Sequence, residues 1–307
     1  MIKNSLNTEF LLVKFPIIFP LIYGFILYLA PAFEIYLIFF TVLILAETHF
    51  GATWPFFLNK SNSSYIKENK IPLIFFPFVI TILSLIGFIF FKPTFLLIFF
   101  AANIYHVTRQ SFGICKLYSK DKFDIKFQEI FIYIFNFLFF LVGFFRFYFP
   151  IINETHSKTL NLVIVLLISL ILIIYLLKFK KSQGIYTLLI GLIIFYPICF
   201  VNNPVHAIIM GVTMHYTQYL YLTFKVFKGR KKKSTIETSK STYLWTIIFY
   251  SVAMSSLSLL GKSSNEILNF LIIVPIIGQM LHFYLDSQLW KFSNPHNREN
   301  VYNFIKS

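Results

Sequence analysis

The chain has 307 residues, 57% of them hydrophobic and 13% charged, and its formal net charge is +15. Soluble domains hold about a quarter charged residues, so this composition excludes a soluble enzyme and predicts an integral membrane protein. The Lys and Arg residues fall between apolar segments rather than on one patch, which argues against a nucleic-acid surface.

Apolar stretches near the spanning length of about 20 residues recur along the chain. In order they lie near 11–30, 33–54, 71–91, 94–115, 127–150, 160–177, 185–201, 205–224, 243–260 and 266–290. They predict an all-α bundle of ten transmembrane helices forming one integral membrane domain, 1–307. The first lacks the short apolar core and small-residue cleavage site of a secretory signal, so it is expected to remain as an anchor. It meets the second at Pro31 with almost no loop, as a tight helical hairpin. Cys115 and Cys199, each in or beside an apolar stretch, read as neither a disulfide nor thiolate ligands. Arg146, near the outer end of the fifth stretch, is expected to snorkel. His206 reads as an interface residue, and His156 falls in the loop with Glu154. The polar stretch 228–242 contains Gly229-Arg230-Lys231-Lys232-Lys233 and reads as a solvated loop meeting anionic headgroups. The tail Asn294-Pro295-His296-Asn297-Arg298-Glu299 predicts a turn followed by a short interfacial helix.

Basic residues set the orientation, because cytoplasmic loops hold the Lys and Arg. With the N-terminus inside, 21 of the 27 basic residues lie on the cytoplasmic side. Only Lys92, Lys158 and Lys262 lie outside, while Lys14, Arg109 and Arg146 fall within apolar stretches. Ten helices with both termini cytoplasmic, in a cell membrane such as the bacterial inner membrane, satisfy that asymmetry.

Four histidines then fall at one depth. His49 lies 11 residues before Lys60, His106 lies 10 before Lys116, His215 lies 10 before Lys225, and His282 lies 9 before Lys291. At about 1.5 Å per residue each imidazole stands roughly 14–16 Å above the basic edge, about half of a ~30 Å hydrocarbon layer. Four ligand-type side chains on four helices at one level predict a shared buried metal site. Separate interhelical hydrogen bonds, each tying one histidine to a Gln, Thr or Tyr, are the plainer alternative.

Each histidine has polar company at the i±3 and i±4 positions that share a helix face. His106 has Asn103, Arg109 and Gln110; His215 has Gln218 and Tyr219; His282 has Gln279 and Asp286; His49 has Thr53. Asp286, Gln110, Gln218 and Gln279 are expected to orient the imidazoles, as hydrogen-bond partners do for metal-bound histidine. Gly113, Gly211 and Gly278 are expected to let helices approach closely. Glu47 lies two residues from His49, about 200° around a regular helix, so one site takes both only if the helix distorts. Arg109 is expected to pair with Glu47 or Asp286, or to hold an anionic or carbonyl group of a substrate.

Neutral imidazoles suit iron, copper, zinc and nickel. Four at one level favour a single non-haem iron over haem, because stacked haems would need ligands at two depths. His49-Phe50-Gly51 ending one apolar helix and His282-Phe283-Tyr284-Leu285-Asp286 in the last resemble motifs of the Brp/Blh beta-carotene-cleaving dioxygenases. That resemblance implies an integral membrane enzyme that splits an apolar polyene with histidine-bound iron, and it implies His49 and His282 as ligands. The expected protein is therefore an iron-dependent oxygenase. His49, His106, His215 and His282 would be its metal ligands, and Arg109, Asp286 and Glu47 its catalytic candidates. Its partners would be the lipid bilayer, dioxygen and an apolar substrate such as a carotenoid or lipid. A proton-coupled transporter using a His and acid relay and a b-type cytochrome remain open alternatives.

Overall fold

A computed structural model describes residues 12, 14–57, 62–119, 121–179, 182–230, 240–262 and 266–306. Among these the regular structure is helical, with no strand. The expected basic loop around Lys231, Lys232 and Lys233 and the loop at Lys60 lie outside the described residues.

Helix α1, Phe15–Leu29, opens with a proline in its first turn, where the missing N–H leaves nothing unsatisfied. It stops at Ala30 because Pro31 disfavours helical backbone before it. Helix α2, Glu34–Thr41, continues through a π-helical stretch, Val42–Ala46, into α3, Glu47–Gly51. The short α4, Trp54–Phe57, and α5, Ser63–Glu68, follow. A second π-helical stretch, Ile71–Phe75, leads into α6, Phe76–Phe90, and then comes α7, Lys92–Tyr118. Helix α8, Lys122–Gly143, starts at Asp121, whose carboxylate accepts from the backbone N–H of Phe123 at 2.9 Å. Beyond it lie α9, Glu154–Phe179; α10, Ser182–Ile193; α11, Pro204–Arg230; and α12, Lys240–Leu260. The chain ends with α13, Glu266–Asn269; α14, Ile273–Leu289; α15, Pro295–Asn297; and α16, Asn303–Lys306.

Among the described residues six helical segments, against the ten expected stretches, are both long and apolar enough to cross a bilayer. They are Pro31–Phe57, Ile71–Phe90, Lys122–Tyr148, Thr155–Phe179, Thr242–Leu260 and Phe270–Leu289. Phe15–Leu29 and Gly184–Cys199 are apolar but shorter. Helices α7 and α11 have the length and are not among the six. They carry His106, Arg109 and Gln110, and His206, His215 and Gln218, which dilute their apolar character.

The chain divides into two compact units, Met1–Ile38 with Asn103–Gln218 and Phe39–Ala102 with Tyr219–Ser307. The divisions fall inside α2, α7 and α11, so no loop or linker marks them in the sequence.

In the first unit α8 packs on α10, and α9 packs on α10. Asn136 of α8 donates to the carbonyls of Ile132 at 2.7 Å and Gly191 at 2.9 Å, tying α8 to α10. Asp124 is fully buried and accepts from Gln128 Nε2 at 2.7 Å, Tyr175 Oη at 2.9 Å and the Ser119 hydroxyl. These donors replace the water that the carboxylate loses, without which its burial would cost several kcal/mol. Arg146, expected to reach the aqueous edge, instead donates to the Ile198 carbonyl at 2.6 Å and to Asn202 Oδ1 at 2.7 Å. The irregular turn after α10 leaves that carbonyl available, and a fixed acceptor nearby holds the guanidinium. His206 is buried, with Nδ1 2.7 Å from Tyr23 Oη and Nε2 3.4 Å from Glu34 Oε2. Gly211 lies directly against the Ile194 carbonyl, with no room for a Cβ. Gly211→Ala is therefore expected to force α11 off that backbone and to lower stability by about 1–3 kcal/mol, read as an earlier thermal transition in detergent.

In the second unit α12 packs along α3 and the π-helical stretch before it, and α14 packs on α6 and α12. Tyr250 of α12 lies over Gly51 of α3, where a Cβ would stand 3.0 Å from the ring. The tail forms the turn and short helix expected. His296 stacks on Tyr65 at 4.0 Å with an interplanar angle of 2°, and its Nε2 is 2.8 Å from Asn62 Oδ1.

Candidate metal centre

Two of the four histidines meet in the second unit. His49 at the end of α3 and His282 on α14 are fully buried, their ring centroids are 4.4 Å apart, and they offer nitrogens within 4.8 Å of each other. The ring of Tyr219 lies 4.4 Å from His49 and 5.5 Å from His282. Phe50 packs edge-on against both imidazoles, at 5.1 Å from each.

A hydrogen-bonded group fixes the His282 ring. Thr53 Oγ1 is 2.7 Å from His282 Nδ1, donates to Asp286 Oδ1 at 2.9 Å, and is 2.9 Å from Tyr219 Oη. Tyr219 donates to the same carboxylate oxygen at 2.6 Å. An ionised carboxylate only accepts, so the Thr53 and Tyr219 protons both go to Asp286. The Thr53 oxygen then accepts from His282 Nδ1–H, which puts the imidazole lone pair on Nε2. A divalent metal takes this tautomer, with the far N–H tied through a hydroxyl to a carboxylate. The donor chemistry therefore fits a metal. Asp286 supports His282 as expected, but through Thr53. Its Oδ2 is also 3.7 Å from Nε2.

Glu47 and His49 were expected on opposite faces of their helix. Both are buried and both meet α14, Glu47 through Gln279 Nε2 at 3.4 Å and His49 through His282. Gln279 and His282 are three residues apart and share one face of α14. The π-helical stretch Val42–Ala46 ends immediately before Glu47, and α3 ends at Gly51. Gln279 thus holds the Glu47 carboxylate rather than an imidazole.

The other two histidines meet in the first unit. His106 of α7 and His215 of α11 are buried, with ring centroids 5.7 Å apart and planes at 83°. Gln110 lies one turn beyond His106, with its amide nitrogen 3.3 Å from His106 Nε2, in the orienting position expected. Gln218 donates to the Leu12 carbonyl at 2.8 Å, so its amide anchors the N-terminal backbone. Arg109 is exposed on α7. A guanidinium is expensive to bury beside apolar side chains, and Arg109 stays exposed although its i+3 spacing puts it on the same helix face as buried His106. Gly278 and Gly211 permit close approaches, to Tyr250 and to Ile194, whereas Gly113 has open space beside it.

Tyr250 and Trp54, whose rings are 6.5 Å apart, were not among the sequence candidates. Tyr250 passes between Gly51 and Gly278, the latter one turn before His282. The pairing of small residues beside each histidine, His49-Phe50-Gly51 and Gly278 before His282, was the available signal.

Comparison with known protein families, with characterised proteins and with solved structures finds no match.

Proposed function

We propose that this protein is a multi-pass membrane oxidoreductase, an iron-dependent oxygenase acting on an apolar substrate such as a carotenoid or lipid. The carrying observation is the fully buried His49–His282 pair, with Thr53, Tyr219 and Asp286 fixing the metal-binding tautomer of His282. The ligand set would be His49 and His282 together with His106 and His215, which form a second buried pair. The support for one ligand set is the sequence spacing, which puts all four histidines at one expected depth above the basic loops. His49, His106, His215 and His282 would hold the iron, and it would supply the chemistry of dioxygen activation. The chain's own residues would orient the imidazoles through Thr53, Asp286 and Gln110 and exclude water with Phe50 and Tyr219. In a ten-helix arrangement with both termini cytoplasmic this centre would lie near the bilayer midplane, and the resemblance to the Brp/Blh enzymes would imply the same chemistry.

One observation favours a second reading, a proton-coupled transporter. Glu47 is buried, and its Oε2 has no hydrogen-bond partner among the described residues, as a protonatable relay group would require. Elemental analysis with an optical spectrum of detergent-purified protein separates the readings. About one iron per chain without a Soret band is the expected result. Metal-free protein with full function would refute the oxygenase, and a Soret band would make the protein a b-type cytochrome.

A further inference from the structure

A cleft of about 610 Å³ runs along one face of α12 in the second unit. Its wall is formed by positions spaced three and four apart, from Thr242 and Thr246 at one end to Ala253 and Met254 at the other, with Trp54 opposite. Twelve residues of helix make it about 18 Å long. The cleft belongs to Thr242–Leu260, one of the segments able to cross a bilayer. Trp245 and Phe249 on its rim are 68% and 77% exposed, and the neighbouring Leu244, Ile248 and Val252 are exposed as well. Apolar side chains exposed along a spanning helix face hydrocarbon, so the cleft opens sideways into the acyl layer. Thr242 and Thr246 bring hydroxyls to one end of its lining, just after Lys240 at the start of the helix.

The inner wall is Tyr250. Its ring lies on Gly51 of α3, two residues from His49, and its hydroxyl reaches Gly278 of α14, one turn from His282. One aromatic side chain therefore separates a lipid-open cleft from the histidine pair.

We infer that this cleft binds one acyl chain of a membrane lipid, with its ester end at Thr242 and Thr246 and its hydrocarbon running past Tyr250 toward Met254. The volume suits a single chain or drug-sized ligand, and the arrangement of a polar end and an apolar length matches an ester-linked chain lying parallel to α12. As the substrate site of the proposed iron centre the cleft depends on that reading; as a lipid site it does not.

The chain has three tryptophans, which makes the test direct. Trp245→Phe with Trp290→Phe leaves Trp54 as the reporter inside the cleft, and Trp54→Phe with Trp290→Phe leaves Trp245 on its rim. The full-length protein is reconstituted in phosphatidylcholine vesicles carrying bromine on one acyl chain. Trp54 fluorescence is expected to be quenched, and Ala253→Leu, which fills the cleft, should remove at least half of that quenching while Trp245 stays fully quenched. Thr246→Leu gives an independent filled variant should Ala253→Leu fold poorly. Failure of Trp54 to be quenched, or quenching that both filled variants leave unchanged, would overturn the lipid site. Iron is measured on the same samples: its absence from the unfilled protein would defeat the oxygenase reading and leave the quenching result standing.

Discussion

Alanine at any one of His49, His282, His106 or His215 is expected to remove most of the iron from the purified protein. The reasoning differs for the two pairs. His49 and His282 are fully buried side by side, and Thr53 presents His282 in the tautomer that binds metal. Losing one ligand from a four-imidazole set leaves a partly coordinated ion and a cavity that water can enter, and even losing a group that only orients a ligand lowers metal affinity 10–100-fold or so. His106 and His215 test whether the second pair joins the first. If His106→Ala and His215→Ala both retain full iron while His49→Ala and His282→Ala lose it, the single four-ligand centre is wrong and the metal belongs to the second unit alone. Each variant is checked by elemental analysis and by its elution as a monodisperse detergent complex.

The second large effect is expected at Asp286. Its carboxylate accepts from both Thr53 and Tyr219, and all three side chains are buried. Asp286→Ala leaves two hydroxyl donors without their acceptor in an apolar interior, each costing about 1–3 kcal/mol. A stability loss on the order of 2–6 kcal/mol follows, with iron loss beside it, because Thr53 no longer holds the His282 proton in place. Asp286→Asn separates the two consequences. It keeps one acceptor oxygen and the side-chain volume, so it is expected to fold, yet the neutral amide weakens the hold on the tautomer. Iron affinity should fall at least tenfold in Asp286→Asn with a thermal transition close to that of the parent chain. Unchanged iron in a well-folded Asp286→Asn would show that Asp286 serves packing alone.

Depth counted from basic loops puts all four histidines at one shared site without pairing them; the structure brings His49 to His282 and His106 to His215, each within its unit. Gln110 beside His106 followed from i,i+4 spacing on a regular helix. Spacing identifies the neighbour where the helix is regular and no other element supplies a partner. Glu47 and His49 were set on opposite faces by assuming 3.6 residues per turn, but a π-helical stretch and an early helix end stand on either side of them. Gln218 and Arg109 were assigned from their own helices, whereas an amide or guanidinium goes to whichever partner or surface the neighbouring element provides. Gln218 took the Leu12 carbonyl, 206 residues away in the chain. Tyr250 went unnoticed because an aromatic residue in an apolar helix has no distinguishing pattern until another helix brings glycines against it.

The amino-acid order alone determined that the chain is helical and apolar over lengths that cross a bilayer, because hydropathy and the 1.5 Å rise are local properties. It also singles out four imidazoles expected at a common level. Only the tertiary structure decided that Thr53 links His282 to Asp286 and Tyr219, that Gln279 serves Glu47, and that Tyr250, in the wall of the α12 cleft, lies against Gly51 and Gly278 beside the histidine pair. Those facts depend on which helix faces which, and a single helix's periodicity carries no record of its neighbours.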